Sequence, residues 1–178
     1  METYVLAGGP FITLDAAFRT LRGVSAVVSG YTGGDTDDPT PAQVATGTTG
    51  HVEAVSVTFD PELVPGDVVL DAFFTAHDPG RLDGDGDGAS DANPTHRSAM
   101  FFTDDAQRAA FEASRDRAVE WWDGQVVTTV EPLEVFFPAA AVEQDTAARR
   151  PESEVVQAAV APRVARVRSR FADYSVSA

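Results

Sequence analysis

GGPFITLDAAF, running from Gly8 to Phe18, is the stretch on which the fold turns. A short apolar strand, Tyr4 to Ala7, leads into it and stops at Gly8 and Gly9. Pro10 stands where a helix should begin, because proline suits the first helical position, where its missing N–H would have no partner anyway. Phe11, Leu14, Ala17, Phe18 and Leu21 then recur at helical spacing, so the segment predicts an amphipathic helix lying on a sheet. Gly23 ends it, and Val24 to Ser29 read as a second strand.

Outward from this unit the pattern repeats. Thr32 to Gly50 is rich in Gly, Asp, Thr and Pro and reads as a long loop, with Tyr31 at its mouth. Val52 to Phe59 alternates as a strand and carries Glu53 between apolar neighbours. Pro65 to Ala76 reads as a helix, and His77 to His96 as an acidic, glycine-rich loop. Ser98 to Phe102 is a strand, Asp105 to Trp122 a long helix, and Val126 to Phe137 one last extended segment. After Pro138 the chain reads as mainly helical. Strands alternating with helices in a chain of this length predict an α/β two-layer sandwich, with helices packed on one mixed sheet. The expectation is a single domain over residues 1–178, in which 144–178 form a C-terminal helical or irregular extension.

Composition narrows the function classes. Asp and Glu number 28 against 13 basic residues, all arginine, for a formal net charge of −15. Such a surface repels nucleic acid and anionic membranes, so neither is expected as a partner. It suits a salt-loving host, where dissolved ions screen the self-repulsion; genomic composition bias explains it equally well. No apolar run approaches the roughly 20 residues of a membrane span. METYVLAGGP does not read as a signal peptide, which leaves a cytoplasmic monomer as the expectation. Cysteine is absent from the 178 residues. Disulfides, thiolate metal sites and thiol nucleophiles go with it, and no metal or cofactor is expected.

Four segments, in order, resemble the peptide methionine sulfoxide reductase A family. They are GGPFITLDAAF; GYTGG (Gly30 to Gly34) followed by TGHVEAVSVTFDP (Thr49 to Pro61); FFTAHDP (Phe73 to Pro79) followed by HRSAMFF (His96 to Phe102); and VFFPAAAVEQD (Val135 to Asp145) with QAAVAPRVARVRSRF (Gln157 to Phe171). The resemblance implies that family's two-layer sandwich with a ferredoxin-like α+β core. It also implies a helix N-terminus that presents a nucleophilic cysteine, where backbone dipoles stabilise a thiolate. That thiolate attacks the sulfoxide sulfur, becomes a sulfenic acid and releases methionine. Here the position holds Pro10, and the family's resolving cysteine corresponds to Val156. The thiol redox cycle is therefore ruled out on chemical grounds.

The rest of the pocket is partly kept. Phe11 matches one wall of the cage that holds the substrate methyl group, while Ile12 replaces the tryptophan of the other wall. Glu53 matches the carboxyl that hydrogen-bonds the sulfoxide oxygen, and Tyr31 one of two phenols that assist it. His96 replaces the second phenol, and Asp91 lies near an acid that helps hold ligand and water. Glu53, Tyr31 and His96 are thus the candidate chemical groups, with Phe11, Ile12, Asp91 and Pro10 around the ligand. The implied function is binding of a small polar, sulfoxide-like ligand without turnover. The alternative is an enzyme of altered acid–base chemistry built on Glu53, Tyr31 and His96. Other features read as structural. His51 and His77 hold loops, and Arg163, Arg166, Arg168 and Arg170 balance the acidic body. Asp83, Asp85, Asp87 and Gly88 open a calcium-type loop, with Asp91 at its ninth position, but its twelfth position is Pro94, not the required Glu.

Overall fold

Alternation along the strands sorts their side chains onto two faces, and both faces are covered. The computed structural model describes residues 1–80, 94–122 and 126–176. Strands β1 (Glu2–Ala7), β2 (Val24–Thr32), β3 (Val52–Phe59), β4 (Ala99–Phe102), β5 (Thr129–Pro132) and β6 (Phe136–Pro138) form a six-stranded sheet in the order β5-β4-β1-β3-β2-β6. β4 and β5 run parallel and the other neighbours antiparallel, so the sheet is mixed. β3 lies between β1 and β2, giving the split βαβ arrangement of a ferredoxin-like core. The helices are α1 (Phe11–Phe18), α2 (Pro41–Ala45), α3 (Gly66–Ala76), α4 (Asp105–Trp121), α5 (Thr146–Arg149) and α6 (Ala161–Arg170).

Leu6, Val27, Val55, Val57, Phe59 and Met100 share one face and join Leu14, Phe18, Phe73, Phe74 and Phe111 in the main core. On the reverse face Val5, Ala7, Val52, Ala54, Ala99 and Phe101 form a second cluster, packed against Leu133 and Phe136. An ion pair between buried Asp15 and exposed Arg19 fastens α1 to β2. Asp15, 1% exposed, accepts from Arg19 Nε at 2.8 Å and from Ser29 Oγ at 3.3 Å, while Arg19 Nη2 donates to the Val27 carbonyl at 2.8 Å.

Four local expectations need correction. Pro10 is the residue before α1, with φ −57° and ψ 130°, not its first helical residue. β2 continues through Tyr31 to Thr32, because β6 pairs with its last three residues. Gly30 permits that pairing: a Cβ there would lie 2.4 Å from the Phe137 carbonyl oxygen. The glycine marks a close backbone approach and not the end of a strand. The long loop after it contains α2, whose N-terminus is closed by a capping box of Thr40 and Gln43. Finally, the extended segment Val126 to Phe137 is two strands on opposite edges of the sheet. Pro132 has no N–H to continue the ladder. The following residues cross the reverse face, and Thr32 Oγ1 donates to the Val135 carbonyl at 2.6 Å.

Residues 144–176 belong to the helix layer. Val167 and Phe171 enter the main core, and the Arg170 guanidinium lies 3.9 Å from the centre of the Trp121 ring, a cation–π contact. The Asp83–Asp91 loop lies outside the described residues. Among the described residues no helix is long and apolar enough to cross a membrane.

Two histidines are held as fold elements. His51, 2% exposed, donates from Nε2 to the Thr36 carbonyl at 2.7 Å and accepts the Gly34 N–H at Nδ1. His77 donates from Nδ1 to the Phe73 carbonyl at 2.7 Å, so its Nε2 must accept from Ser98 Oγ at 2.8 Å. Its ring lies under Gly8, where a Cβ would come within 2.7 Å of it. Burial disfavours the imidazolium and lowers the His77 pKa from 6.5 to about 4. Its stabilising contribution is complete above pH 6.5 and drains away as pH falls toward 4, because only the unfolded chain takes up the proton over that window. The gap corresponds to on the order of 3 kcal/mol. In urea titrations between pH 7 and 4, His77→Gln should show a shallower loss of stability than the parent. Equal slopes would mean that His77 carries none of the acid sensitivity.

Candidate functional site

Strand parity places the site. Glu53 lies two residues before Val55 on β3, so it faces the helix layer with Val55, Val57 and Phe59. β3 is an interior strand, paired with β1 on one side and β2 on the other. In the β2–β3 register Tyr31 stands directly opposite Glu53. The start of α1 meets this pair. Pro10 offers no side-chain cap, and the Phe11 N–H donates to Glu53 Oε2 at 2.9 Å. Glu53 thus caps α1 from 42 residues away in sequence, giving a free helical amide its acceptor and a negative charge to the positive end of the helix dipole.

His96 approaches from the other side, at the end of the 3₁₀ turn Pro94–His96. Its carbonyl accepts the Gly9 N–H at 3.0 Å, and its Nε2 lies 3.3 Å from Glu53 Oε1. The two side chains keep 23% and 24% of their exposure, so the pair stands at a partly open surface. The Tyr31 ring is buried at 4% exposure and packs on Phe11 with 5.9 Å between ring centres. Its hydroxyl points to Glu143 Oε1 at a long 3.4 Å. Burial, then the carboxylates of Glu143 and Glu53, hold its phenol well above the ordinary value, so it stays a protonated hydrogen-bond donor. Ile12 is half-buried beside Phe11 and Pro10 is exposed.

The structure therefore brings Pro10, Phe11, Tyr31, Glu53 and His96 together, with Ile12 next to them. Asp91 lies outside the described residues. Glu143 and Gln144 were not anticipated as part of the site. The Gln144 amide bonds the backbone of Ser29 from both its ends, at 2.8 and 2.9 Å. This sets the turn Ala141–Glu143 beside the end of β2. The available signal was two adjacent polar side chains after the apolar run VFFPAAAV, in a segment already singled out for its resemblance. Val156, at the second lost thiol position, is 7% exposed in a π-helical turn, Val156–Val160. Chemically, the cluster can donate hydrogen bonds and move protons. It contains no group that can give up an electron pair to sulfur and be regenerated by thiols.

The chain is similar to known proteins along nearly its whole length. The sequence profile described as peptide methionine sulfoxide reductase matches residues 2–175. The chain is 48% identical to the peptide methionine sulfoxide reductase MsrA of Clavibacter michiganensis over 98% of each chain. It is 41% identical to that of Halobacterium salinarum over 96% of each. Among solved structures it is similar to methionine sulfoxide reductase A of Corynebacterium diphtheriae, with TM-score 0.73, 27% identity, and 85% of this chain and 76% of that one covered. The reduced form of Mxr1 from Saccharomyces cerevisiae shares the fold at TM-score 0.78 and 23% identity, covering 85% of this chain and 87% of that one.

The capping role of Glu53 is testable without any ligand. Glu53→Ala should cost about 1 kcal/mol in chemical denaturation, because the Phe11 amide loses its acceptor. Glu53→Gln, which keeps an acceptor oxygen, should cost clearly less. Equal losses in the two variants would contradict the cap.

Proposed function

Because this chain belongs to the peptide methionine sulfoxide reductase family, we propose that it binds a small sulfoxide-like ligand at the family site and does not reduce it. The observation that carries this reading is the pairing of Glu53 with the α1 N-terminus and His96, in a chain with no cysteine. Reducing a sulfoxide to a sulfide takes two electrons and two protons. In the thiol cycle a thiolate supplies the electron pair and becomes a sulfenic acid. Tyr31, Glu53 and His96 supply protons and hydrogen bonds, but no electrons. Pro10 cannot attack sulfur, and Val156 cannot resolve a sulfenic acid.

The polar groups suit an S–O dipole. Tyr31 stays protonated and can turn its one O–H from the long Glu143 contact to the oxygen, and His96 Nε2 is a second donor within reach of Glu53. Phe11 offers an apolar wall for the S-methyl group, with Ile12 in place of a broader aromatic wall. A cytoplasmic monomer acting in this way belongs to the same proposal. The contact between His96 and Glu53 favours one second reading, in which the pair performs acid–base chemistry on a substrate that needs no electrons.

The test uses a peptide containing methionine S-sulfoxide together with dithiothreitol. The protein should release no methionine above background, while the sulfoxide raises its melting temperature. Glu53→Gln should reduce that shift. Pro10→Cys, which restores a thiol at the start of α1, should release methionine well above the parent. Methionine formed at an enzymatic rate by the parent, free of contaminating reductase, would overturn the proposal. Turnover of a non-sulfoxide substrate that Glu53→Gln abolishes would establish the second reading.

A further inference from the structure

Glu143 has no counterpart in the chemistry considered so far, yet it is fixed against the most deeply buried polar group of the site. Two contacts hold it. Its Oε2 accepts the Ala140 N–H at 3.2 Å, and its own N–H donates to the Ala140 carbonyl at 2.8 Å. The next residue, Gln144, clamps the same turn to Ser29, as does the Ala139 N–H donated to the Ser29 carbonyl at 2.9 Å. Ser29 and Tyr31 lie two apart on β2 and share a face, so the turn is stapled one pleat from the phenol. Glu143 is half-buried there.

Charge accounting makes this placement informative. Several half-buried or buried acids of this chain meet an arginine: Asp15 meets Arg19, Glu131 meets Arg97, and Asp71 meets Arg117, while half-buried Asp60 accepts the Glu62 N–H instead. Glu143 and Glu53 do not meet one. Among the described residues Glu143 has the Tyr31 hydroxyl and the Ala140 amide, while Glu53 has the Phe11 amide and His96. Both carboxylates bear on one phenol, which burial first and then these two charges keep protonated. The site thus presents an apolar ring, a hydroxyl donor and two carboxylates, neither of them ion-paired to an arginine among the described residues; Arg149, at the same turn, donates its Nη1 to the Ala141 carbonyl at 2.9 Å. A partly desolvated negative field of this kind favours a cation and repels an anion.

We infer that Glu143 is a specificity-determining residue that selects ligands carrying a cationic group beside the sulfoxide, such as an ammonium. The inference rests on the sulfoxide-binding reading of the same site and adds the charge class of the ligand. The preferred ligand is a methionine sulfoxide whose amino group is free or whose neighbours are basic. The S–O dipole lies toward Tyr31 and His96 and the ammonium toward Glu143.

Isothermal titration with four ligands of one sulfoxide configuration tests this. They are methionine sulfoxide amide (cationic), methionine sulfoxide (zwitterionic), N-acetyl-methionine sulfoxide amide (neutral) and N-acetyl-methionine sulfoxide (anionic). The cationic ligand should bind about five-fold or more tighter than the neutral one, and the anionic ligand weakest. Raising the salt concentration should compress the series. In Glu143→Gln, which removes the charge and keeps one of the two acceptor oxygens, the cationic-to-neutral ratio should fall to about one, whatever the absolute affinities. Equal binding of the four ligands by the parent overturns the inference and leaves the sulfoxide-binding reading standing. So does a preference that survives Glu143→Gln. Binding of none of the four overturns both.

Discussion

One hydrogen bond joins the two halves of this protein's site: the Phe11 amide donated to the Glu53 carboxylate. It ties the first turn of α1 to an interior strand of the sheet, and the positions of the other groups follow from that junction. Tyr31 is placed by the β2–β3 register, in which it faces Glu53. A slip of one residue would turn Tyr31 to the reverse face. His96 is placed by the turn it shares with Gly9, and Phe11 by the helix that begins on Glu53. At the far end of α1 the Asp15–Arg19 pair holds the helix to β2. The helix can neither rotate nor slide without breaking one end or the other.

That rigidity separates binding from chemistry. The surroundings proposed to orient a sulfoxide are fixed by the backbone contacts of Phe11, Tyr31, Glu53 and His96. Electron transfer is not backbone-defined; it needs a sulfur atom at one position, and Pro10 stands there. A proline also lacks an N–H, so Phe11 supplies the first free amide of the helix, and Glu53 takes it. The carboxylate that the family resemblance assigns to ligand recognition is thereby part of the fold as well. This structural duty needs no thiol.

The order of elements was legible in the sequence because hydrophobic period alone distinguishes Phe11–Phe18 from Val52–Phe59. The partition of β3 into two faces was equally legible, and it places Glu53 toward the helices. Three features were not. β2 was read as ending at Ser29 because Gly30 resembles a terminator, whereas its missing side chain admits Phe136 and Phe137. The split of Val126–Phe137 into strands at opposite sheet edges depends on contacts with Phe102 and Thr32 that lie far away in sequence. Glu143 reaches the site through the Gln144–Ser29 clamp, 115 residues apart, together with the Ala139–Ser29 bond and the β2–β6 pairing. Periodicity reports local faces, and it carries no information on which distant turn a given edge strand will recruit.

The central claim is that this pocket holds an S–O dipole and leaves it unchanged. Proton NMR of the S-methyl resonance of methionine S-sulfoxide, at equal concentrations of protein and ligand with dithiothreitol present, addresses both halves of that claim at once. The account predicts a broadened or shifted sulfoxide methyl signal that is recovered in full when the ligand is displaced. Growth of a thioether methyl signal in step with loss of the sulfoxide would contradict it, as would a sulfoxide signal that the protein never perturbs.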